Sequence, residues 1–313
     1  MISAKKRSYV VGVDVGGTNI KLGIVHPSGK VIARTSFTTK LFASNKAKLI
    51  AALAAAIKEN IAQAGLSNKD IAGIGIGLPG LVDNAAGIVR FLPNIPGWRN
   101  VRLKAILENK LKLPVFVDND VKLITLAEWR FGAGRGAKNM ICLTLGTGVG
   151  SGLIFNNELY RGHSNATGEL GHVPINEEGP RCNCGGWGCL EAYVGNRRLL
   201  ERIRVLTGGA HLRLEDMFER ACQGDKKALR FWEETATHLG NGLTGVVNLL
   251  NPQLVVIGGG VSNNHRFLFK TLETVIRKRA MLTQAKAVKV LRARLGDDAG
   301  IIGAQVMVNN GKA

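Results

Sequence analysis

The chain has 313 residues, of which 45% are hydrophobic, and this composition excludes a disordered protein because it can supply a sizeable core. Its formal net charge of +19 favours an anionic partner, such as a nucleotide, polyphosphate, nucleic acid or a membrane surface. For most of the 42 basic residues, however, a solvated basic surface is the better explanation. Aromatic residues make up only 5% and rarely alternate with the basic ones, so a stacking surface for single-stranded nucleic acid is not indicated.

The N-terminal segment is not typical of a signal peptide. Basic residues Lys5 to Arg7 precede an apolar run that is soon interrupted by Asp14 and two glycines. No apolar stretch approaches the ~20 residues of a membrane-spanning helix. We therefore expect a cytoplasmic protein without a membrane partner. There, a cysteine cluster more often binds metal or does chemistry than forms a disulfide.

Two similar β-meanders are predicted, one near the N-terminus and one in the middle of the chain. The first, YVVGVDVGGTNIKLGIVHPSGKVIARTSF, has the pattern of strand, glycine turn, strand, tight turn and strand. The second, NMICLTLGTGVGSGLIFNNELYRG, repeats that order. This repetition predicts a two-lobed molecule built by duplication, with a cleft where the two glycine turns face each other.

The remaining segments alternate between helix and strand patterns, which predicts an α/β fold with mixed sheets flanked by helices. Buried strands are expected in IAGIGIGLPG, LPVFVDND and PQLVVIGGGVS. Helices are expected over Lys46 to Gly65, from near Val121, over Val194 to Thr207, over Lys226 to Asn251, and at the C-terminus after a cap at Asp297 or Asp298.

Three glycine-rich turns follow strands, and such turns leave backbone N–H groups free to bind phosphate. They contain Gly16-Gly17-Thr18, Gly146-Thr147-Gly148 and Gly258-Gly259-Gly260. GTGVGSG is not a dinucleotide-binding fingerprint, because a strand pattern follows it instead of a helix. A single turn is equally well explained as a hairpin, whereas three favour phosphate binding. Asp14 ends a buried strand before the first turn, where Mg²⁺ on a nucleotide phosphate would be a suitable partner.

DVGGTNIK, LGTGVGSG and VIGGGVS resemble the two phosphate motifs and the adenosine motif of the actin-like sugar kinase superfamily. ELGHVPINEEGPRCNCGGWGCLE resembles the signature of the ROK family (repressors, open reading frames and sugar kinases), its glucokinase branch most closely. The resemblance runs from Val11 to about Ala304. It implies an ATP-dependent hexose kinase with the two-lobed actin-like, ribonuclease H-like fold, a cleft between the lobes for ATP and sugar, a structural zinc ion and a homodimer.

The lobes are expected at residues 1–119 with 298–313, and at residues 120–297, the second carrying the zinc-binding loop. The resemblance also implies a nucleotide site for ATP and Mg²⁺. Its expected residues are Asp14, Gly16, Gly17, Thr18, Lys21, Gly146, Thr147, Gly148, Gly258, Gly259 and Gly260.

Three of the five cysteines, Cys182, Cys184 and Cys189, lie within one short glycine-rich stretch. Three thiolates and one histidine would complete a closed tetrahedral zinc site, for which His172 and His163 are both near in sequence. The family pattern selects His172. A redox pair generally uses Cys-x-x-Cys, which is absent, and an iron–sulfur cluster generally needs a fourth cysteine.

The Asp118-Asn119-Asp120 motif lies where a strand ends and a helix begins, and it offers two carboxylates as the base for phosphoryl transfer to a sugar hydroxyl. In an arbitrary protein a helix cap is the more common explanation. The resemblance implies that Asp120 is the catalytic base and Asn119 a sugar ligand, which leaves Asp118 a structural role. The helix N-terminus is expected to favour the ionised form of Asp120. Lys122 departs from the family pattern, which often has asparagine there.

Carboxylates and amides in a small cleft are suited to reading sugar hydroxyls. The residues that match the family's sugar ligands, or are expected to assist them, are Gly80, Asn94, Asn119, Asp120, Glu169, His172 and Glu191.

Several functions remain open on sequence alone. The leading one is phosphorylation of glucose by ATP. Its rivals are kinases for N-acetylmannosamine, N-acetylglucosamine, mannose or fructose, or one that uses polyphosphate. A sugar-responsive repressor would need a helix-turn-helix domain ahead of the first strand, which this sequence reaches by about Tyr9. A zinc-knuckle RNA-binding protein is disfavoured by the cysteine spacing, so nucleic acid is not the expected partner.

Overall fold

The structure is a computed structural model that describes residues 8–39, 45–92, 97–209 and 211–311. The strands in chain order are β1 (Tyr9–Val15), β2 (Asn19–Val25), β3 (Val31–Thr38), β4 (Ile71–Leu78), β5 (Leu81–Asp83), β6 (Ile88–Phe91), β7 (Arg99–Val101), β8 (Val115–Asn119), β9 (Met140–Leu145), β10 (Val149–Phe155), β11 (Glu158–Tyr160), β12 (Leu254–Gly258) and β13 (Lys289–Arg292). The α-helices are α1 (Lys46–Gln63), α2 (Leu103–Leu111), α3 (Asp120–Phe131), α4 (Glu191–Val194), α5 (Asn196–Leu206), α6 (Leu214–Cys222), α7 (Lys226–Leu250), α8 (His265–Arg279), α9 (Leu282–Ala287) and α10 (Ala299–Asn310).

The chain divides into two compact units. The described residues of unit 1 fall within Met1–Arg135, Arg161–Ala166 and Leu295–Ala313, and unit 2 comprises Gly136–Tyr160 and Thr167–Arg294. The expected boundary at residue 119 differs from this division, because α3 packs against α10 and both helices belong to unit 1.

Unit 1 contains a five-stranded mixed sheet in the order β3-β2-β1-β4-β8. The pairing of β1 with β2 is antiparallel, whereas β1 with β4 and β4 with β8 are parallel. Every residue of β4 is buried, in accordance with its continuous apolar sequence. Helix α1 presents Leu49, Leu53 and Ile57 to the core, and helix α10 contacts β1 and β4.

Unit 2 contains a second five-stranded sheet in the order β11-β10-β9-β12-β13. Its core includes Phe231 and Trp232 of α7, both fully buried. The two sheets share one topology. An antiparallel meander comes first, the next strand pairs in parallel with the first strand of the meander, and the last strand pairs in parallel with that one. The predicted α/β fold with mixed sheets and duplicated meanders is therefore confirmed.

Local differences from the predicted elements have simple causes. The helix expected over Val194 to Thr207 is interrupted at Gly195, which separates α4 from α5. Asp298 occupies the N-cap position of α10 but makes no side-chain cap bond, because its carboxylate pairs with Arg34. Within the described ranges, no helix has the length and apolar character needed to cross a membrane.

Candidate active site and metal centre

The first glycine turn closes the β1–β2 hairpin of unit 1. The Gly16 N–H donates to the Asn19 carbonyl at 2.9 Å, and the Thr39 hydroxyl donates to the Gly16 carbonyl at 2.9 Å. Gly17 and Thr18 are exposed at the tip of the turn. The turn therefore has a fixed base and an open tip, an arrangement suited to contact with an anion.

Asp14 lies on β1 directly before this turn, and Lys21 is its cross-strand partner on β2. Burial raises the pKa of Asp14, the charge of Lys21 opposes that effect, and the charge of Asp297 adds to it. Lys21 also pairs with the exposed carboxylate of Asp297 at 3.3 Å. A partly buried carboxylate whose charged form is disfavoured fits a divalent cation, which would offset the cost of burial.

Strand β8 leads into helix α3 through Asp118, whose carboxylate forms a buried ion pair. Asp118 is fully buried, and its Oδ2 pairs with Nη1 of Arg161 at 2.5 Å. Its other oxygen accepts the backbone N–H of Asn119 at 2.8 Å. These contacts agree with the structural role expected for Asp118. Sequence reasoning did not identify Arg161, whose partner lies 43 positions away in the chain.

Asn119 caps helix α3 with its side chain. Its Oδ1 accepts the N–H groups of Val121 at 3.0 Å and Lys122 at 3.3 Å, while its Nδ2 donates to the Gly80 carbonyl at 3.2 Å. Gly80 has a φ of +96°, a backbone conformation that favours glycine. One amide thus caps the helix with its oxygen and binds Gly80 with its nitrogen. The second hydrogen of Nδ2 is not used in these contacts.

Asp120 is the first residue of α3 and is partly buried. Burial, followed by the negative charge of Asp14, raises the pKa of Asp120 to about 6, although the Val121 N–H opposes the shift by donating at 2.9 Å. The helix N-terminus was expected to lower the pKa of Asp120, but burial and the charge of Asp14 have the larger effect and raise it. A carboxylate with this pKa is largely ionised at neutral pH and is still a useful proton acceptor.

In unit 2, the structure brings together one histidine and three cysteines, and their candidate ligand atoms all lie within 4.8 Å of one another. Cys182 Sγ lies 3.8 Å from His172 Nδ1, and Cys184 Sγ lies 3.7 Å from Cys189 Sγ. These separations match the ~3.8 Å edge of a tetrahedron with ~2.3 Å metal–sulfur bonds. The cluster can therefore hold a tetrahedral metal ion.

The protonation chemistry of the thiols also fits a cation. Burial, together with the neighbouring thiols Cys184 and Cys182, raises the pKa of Cys189 to about 12. Burial likewise raises the pKa of Cys182, whereas the Gly186 N–H lowers that of Cys184. Crowded and partly buried thiols resist ionisation unless a positive charge stabilises the thiolates, which a bound metal ion supplies.

Two carboxylates that were expected to bind the sugar, Glu169 and Glu191, lie beside the cluster. His172 faces Cys182 with Nδ1, and its Nε2 lies 3.9 Å from Oε2 of Glu169, which is too long for a direct hydrogen bond. Glu191 Oε2 accepts the Val149 N–H at 2.9 Å, and Glu191 Oε1 lies 3.9 Å from Cys182 Sγ. Glu191 thus connects the cysteine cluster to the start of β10.

The second glycine turn joins β9 to β10 and is closely packed. Gly146 donates to the Gly148 carbonyl at 2.9 Å, and the Gly146 carbonyl accepts the Asn196 N–H at 2.9 Å. A Cβ at Gly148 would overlap the Glu191 carboxylate, which would then have to move from the Val149 N–H. Thr147 forms the tip between these two glycines.

The third turn follows β12 and leads into a 3₁₀ helix over Gly260–Asn264. Gly259 has a φ of +87°, and its carbonyl accepts the Ser262 hydroxyl at 2.7 Å. Of the expected site residues, Asn94 lies outside the described residues. The remaining ones divide between the units: Asp14, Lys21, Gly80, Asn119 and Asp120 belong to unit 1, and Glu169, His172, Glu191 and the three cysteines belong to unit 2.

Comparison with known proteins gives a consistent result. The family model described as "ROK family" matches residues 10–310. The glucokinase of Thermotoga maritima is 34% identical over 312 residues, which cover 96% of this chain and 96% of that protein. The xylose repressor of Caldicellulosiruptor bescii is 32% identical over 311 residues, covering 96% of this chain and 77% of the repressor.

A solved structure agrees with the sequence relatives. A ROK family glucokinase from Streptomyces griseus, in complex with glucose and AMPPNP, superposes with a TM-score of 0.79 and 33% identity, covering 97% of this chain and all of that one. The fold is that of the ROK sugar kinases, as the resemblance implied. Over nearly its whole length, including the Asp118-Asn119-Asp120 junction and the cysteine cluster, this chain belongs to the ROK family.

Proposed function

We propose that the protein is an ATP-dependent hexose kinase that converts glucose to glucose 6-phosphate. The observation that carries this proposal is Asp120, a partly buried carboxylate at a helix N-terminus whose pKa is raised to about 6. The similarity to a glucokinase crystallised with glucose and AMPPNP supports both the sugar and the nucleotide.

In the proposed reaction Asp120 accepts the proton of the sugar 6-hydroxyl while that oxygen attacks the γ-phosphorus of ATP. The bond from phosphorus to the β,γ-bridging oxygen breaks, and ADP leaves. Asp14 is the residue that would hold Mg²⁺, directly or through water, and the ion would neutralise phosphate charge. The tips of the three glycine turns would contact the nucleotide with their N–H groups, assisted by the Lys21 ammonium.

Sugar recognition is proposed for the residues that match the family's sugar ligands. On unit 1 these are Asn119, with its remaining Nδ2 hydrogen, and the loop at Gly80. Asn94, outside the described residues, stays a predicted contributor. On unit 2 Glu169 and Glu191 accept from sugar hydroxyls while His172 donates through Nε2. The separation of Glu169 and His172 supports this role, because the two side chains are not joined by a direct hydrogen bond.

We further propose that the ion of the cysteine cluster is structural zinc. Three thiolates and one imidazole form a closed ligand set, with no position left for substrate. The ion would fix the His172 ring through Nδ1 and leave Nε2 for the sugar. Cytoplasmic location stays a prediction from the sequence pattern, and homodimer formation stays a prediction of the family resemblance.

A sugar-responsive repressor is the second candidate, because a xylose repressor is 32% identical to this chain. The two candidates differ in one measurable respect. A kinase turns over its sugar with ATP, whereas a repressor binds operator DNA with high affinity at physiological salt.

The purified protein should contain about one zinc ion per chain, because the ligand set is complete within the chain. Cys184→Ser should lower the zinc content and the activity together. Cys222→Ser is the matched control, since Cys222 is also exposed but lies on α6, outside the cluster. Zinc would be measured by inductively coupled plasma mass spectrometry. A zinc-free sample that stays folded and fully active would contradict the structural role.

A substrate panel tests the reaction itself. Glucose, mannose, fructose, N-acetylmannosamine and N-acetylglucosamine would each be offered with ATP or polyphosphate, and sugar phosphate would be quantified. The highest kcat/KM is expected for glucose with ATP. A different best sugar or donor would replace that part of the proposal, and the absence of turnover with tight operator binding would favour the repressor.

Asp120→Asn should lower kcat by at least ~100-fold while glucose still binds, because an amide has the shape of the carboxylate but cannot accept the proton. Asp225→Asn is the control. Asp225 also lies at a helix N-terminus, where its side chain accepts the N–H groups of Lys227 and Ala228, and asparagine caps equally well. Steady-state kinetics and glucose titration would be compared, and near-normal turnover in Asp120→Asn would remove this residue from its role.

The rate should also decline in acid. Because the pKa of Asp120 is raised to about 6, the carboxylate is protonated below that pH and cannot act as the base. We expect kcat/KM to decrease ~10-fold per pH unit below this value. The measurement is a pH profile of kcat/KM from pH 5 to pH 8. A profile that stays flat down to pH 5 would show that another group accepts the proton.

A further inference from the structure

Six residues of unit 1 come from a part of the chain that is otherwise unit 2. The chain leaves unit 2 after Tyr160, contributes residues 161–166 to unit 1, and returns to unit 2 at Thr167. We call residues 161–166 the inserted segment. Neither α-helix nor strand is present in it, so its position in unit 1 depends on side-chain and loop contacts.

The first of these contacts is the ion pair between Arg161 and Asp118. The Asp118 carboxylate is fully buried, and the Arg161 side chain is 25% exposed. A buried charge of this kind is costly unless it is paired, so Arg161 is the group that makes Asp118 tolerable at this position. Asp118 in turn accepts the N–H of Asn119, and this bond orients the backbone that enters α3.

The second contact is made by Lys122, which follows Asp120 in the chain. Lys122 is 4% exposed, and its Nζ donates to the carbonyl of Asn165 at 2.5 Å. Asn165 has a φ of +59°, a left-handed conformation that asparagine tolerates, so the segment bends where the ammonium binds it.

The two contacts bracket Asp120 at two residues before it and two residues after it. Between them lies Asn119, whose amide caps α3 and binds the Gly80 carbonyl. The inserted segment, the start of α3 and the Gly80 loop are therefore joined by one continuous set of hydrogen bonds. By contrast, the first glycine turn is held by hydrogen bonds from Gly16 to Asn19 and from Thr39 to Gly16, and neither bond involves the inserted segment.

We propose that Lys122 and Arg161 are positioning residues for the acceptor sugar. They hold the inserted segment against the start of α3 and thereby keep the sugar-facing groups of Asn119 and Asp120 in their binding arrangement. This inference rests on the proposed kinase function and deepens it. The buried Lys122 and the partly buried Arg161 thus act on sugar affinity, without contact to the reacting atoms and without a part in nucleotide binding.

The test is a comparison of KM values. Lys122→Met keeps the length of the side chain and removes the donor, and it should raise the KM for glucose at least ~10-fold, equivalent to ~1.4 kcal/mol of lost affinity. The KM for ATP should change less than about twofold, because the nucleotide turn is bonded elsewhere. Lys122→Arg should restore most of the glucose affinity. Arg130→Met is the matched control, since Arg130 is exposed on the same helix, and it should leave both constants unchanged.

Arg161 is tested together with Asp118, because Arg161→Gln alone would leave the buried Asp118 carboxylate unpaired and destabilise the fold. Asp118→Asn combined with Arg161→Gln removes both charges and retains a hydrogen bond. This double variant should again raise the KM for glucose selectively. Thermal unfolding would be recorded for every variant, so that a loss of stability is separated from a loss of sugar affinity.

The outcomes separate this inference from the function on which it rests. If the wild-type protein phosphorylates glucose and Lys122→Met leaves the glucose KM unchanged, the positioning role is wrong and the kinase stands. The same conclusion follows if both KM values rise equally. If the wild-type protein binds glucose without turnover, the kinase proposal fails, and the dissociation constant of glucose for each variant, from titration calorimetry, decides the positioning role.

Discussion

The close contact between α10 and the sheet of unit 1 determines the geometry of the acidic groups. A Cβ at Gly12 of β1 would overlap a backbone carbonyl of α10, and a Cβ at Gly303 of α10 would overlap the backbone of α3. Glycines at these positions let the helices and the sheet approach to backbone contact. Gly300, at the start of α10, likewise lies directly against Asp14. Strand β1, which carries Asp14, and helix α3, which begins at Asp120, are therefore both packed on one helix.

In unit 2 the Glu191 side chain links the second glycine turn to the cysteine cluster. Glu191 accepts the Val149 N–H beside the second glycine turn and lies near Cys182 of the cluster. A metal ion in the cluster would stabilise the loop that carries the cysteines and, through Glu191, the turn as well. The second glycine turn and His172, for which nucleotide and sugar contacts are proposed, would then depend on the same ion.

The parts that were predictable from sequence are those whose signals are local. Cys182, Cys184 and Cys189 lie within eight positions, so the metal cluster could be recognised before the fold was known. The two meanders repeat the same order of strands and turns in the sequence, and this repetition was sufficient to predict that both sheets begin in the same way. The Arg161 ion pair joins residues 43 positions apart, and nothing near either residue marks the pairing. The direction of the Asp120 pKa shift was missed for a related reason, because burial and the charge of Asp14 depend on packing between distant segments.

The interrupted path of the chain through unit 1 has a consequence for synthesis. Three separate stretches make up this unit, and the last begins at Leu295. A ribosome releases the chain from the N-terminus, so strands β1 to β4 emerge long before Arg161 can neutralise Asp118 and before α10 can cover the sheet. The unit that starts first is thus completed last, after all of unit 2 has been made. Until then the faces of β1 and β4 that α10 contacts in the folded unit lack that helix.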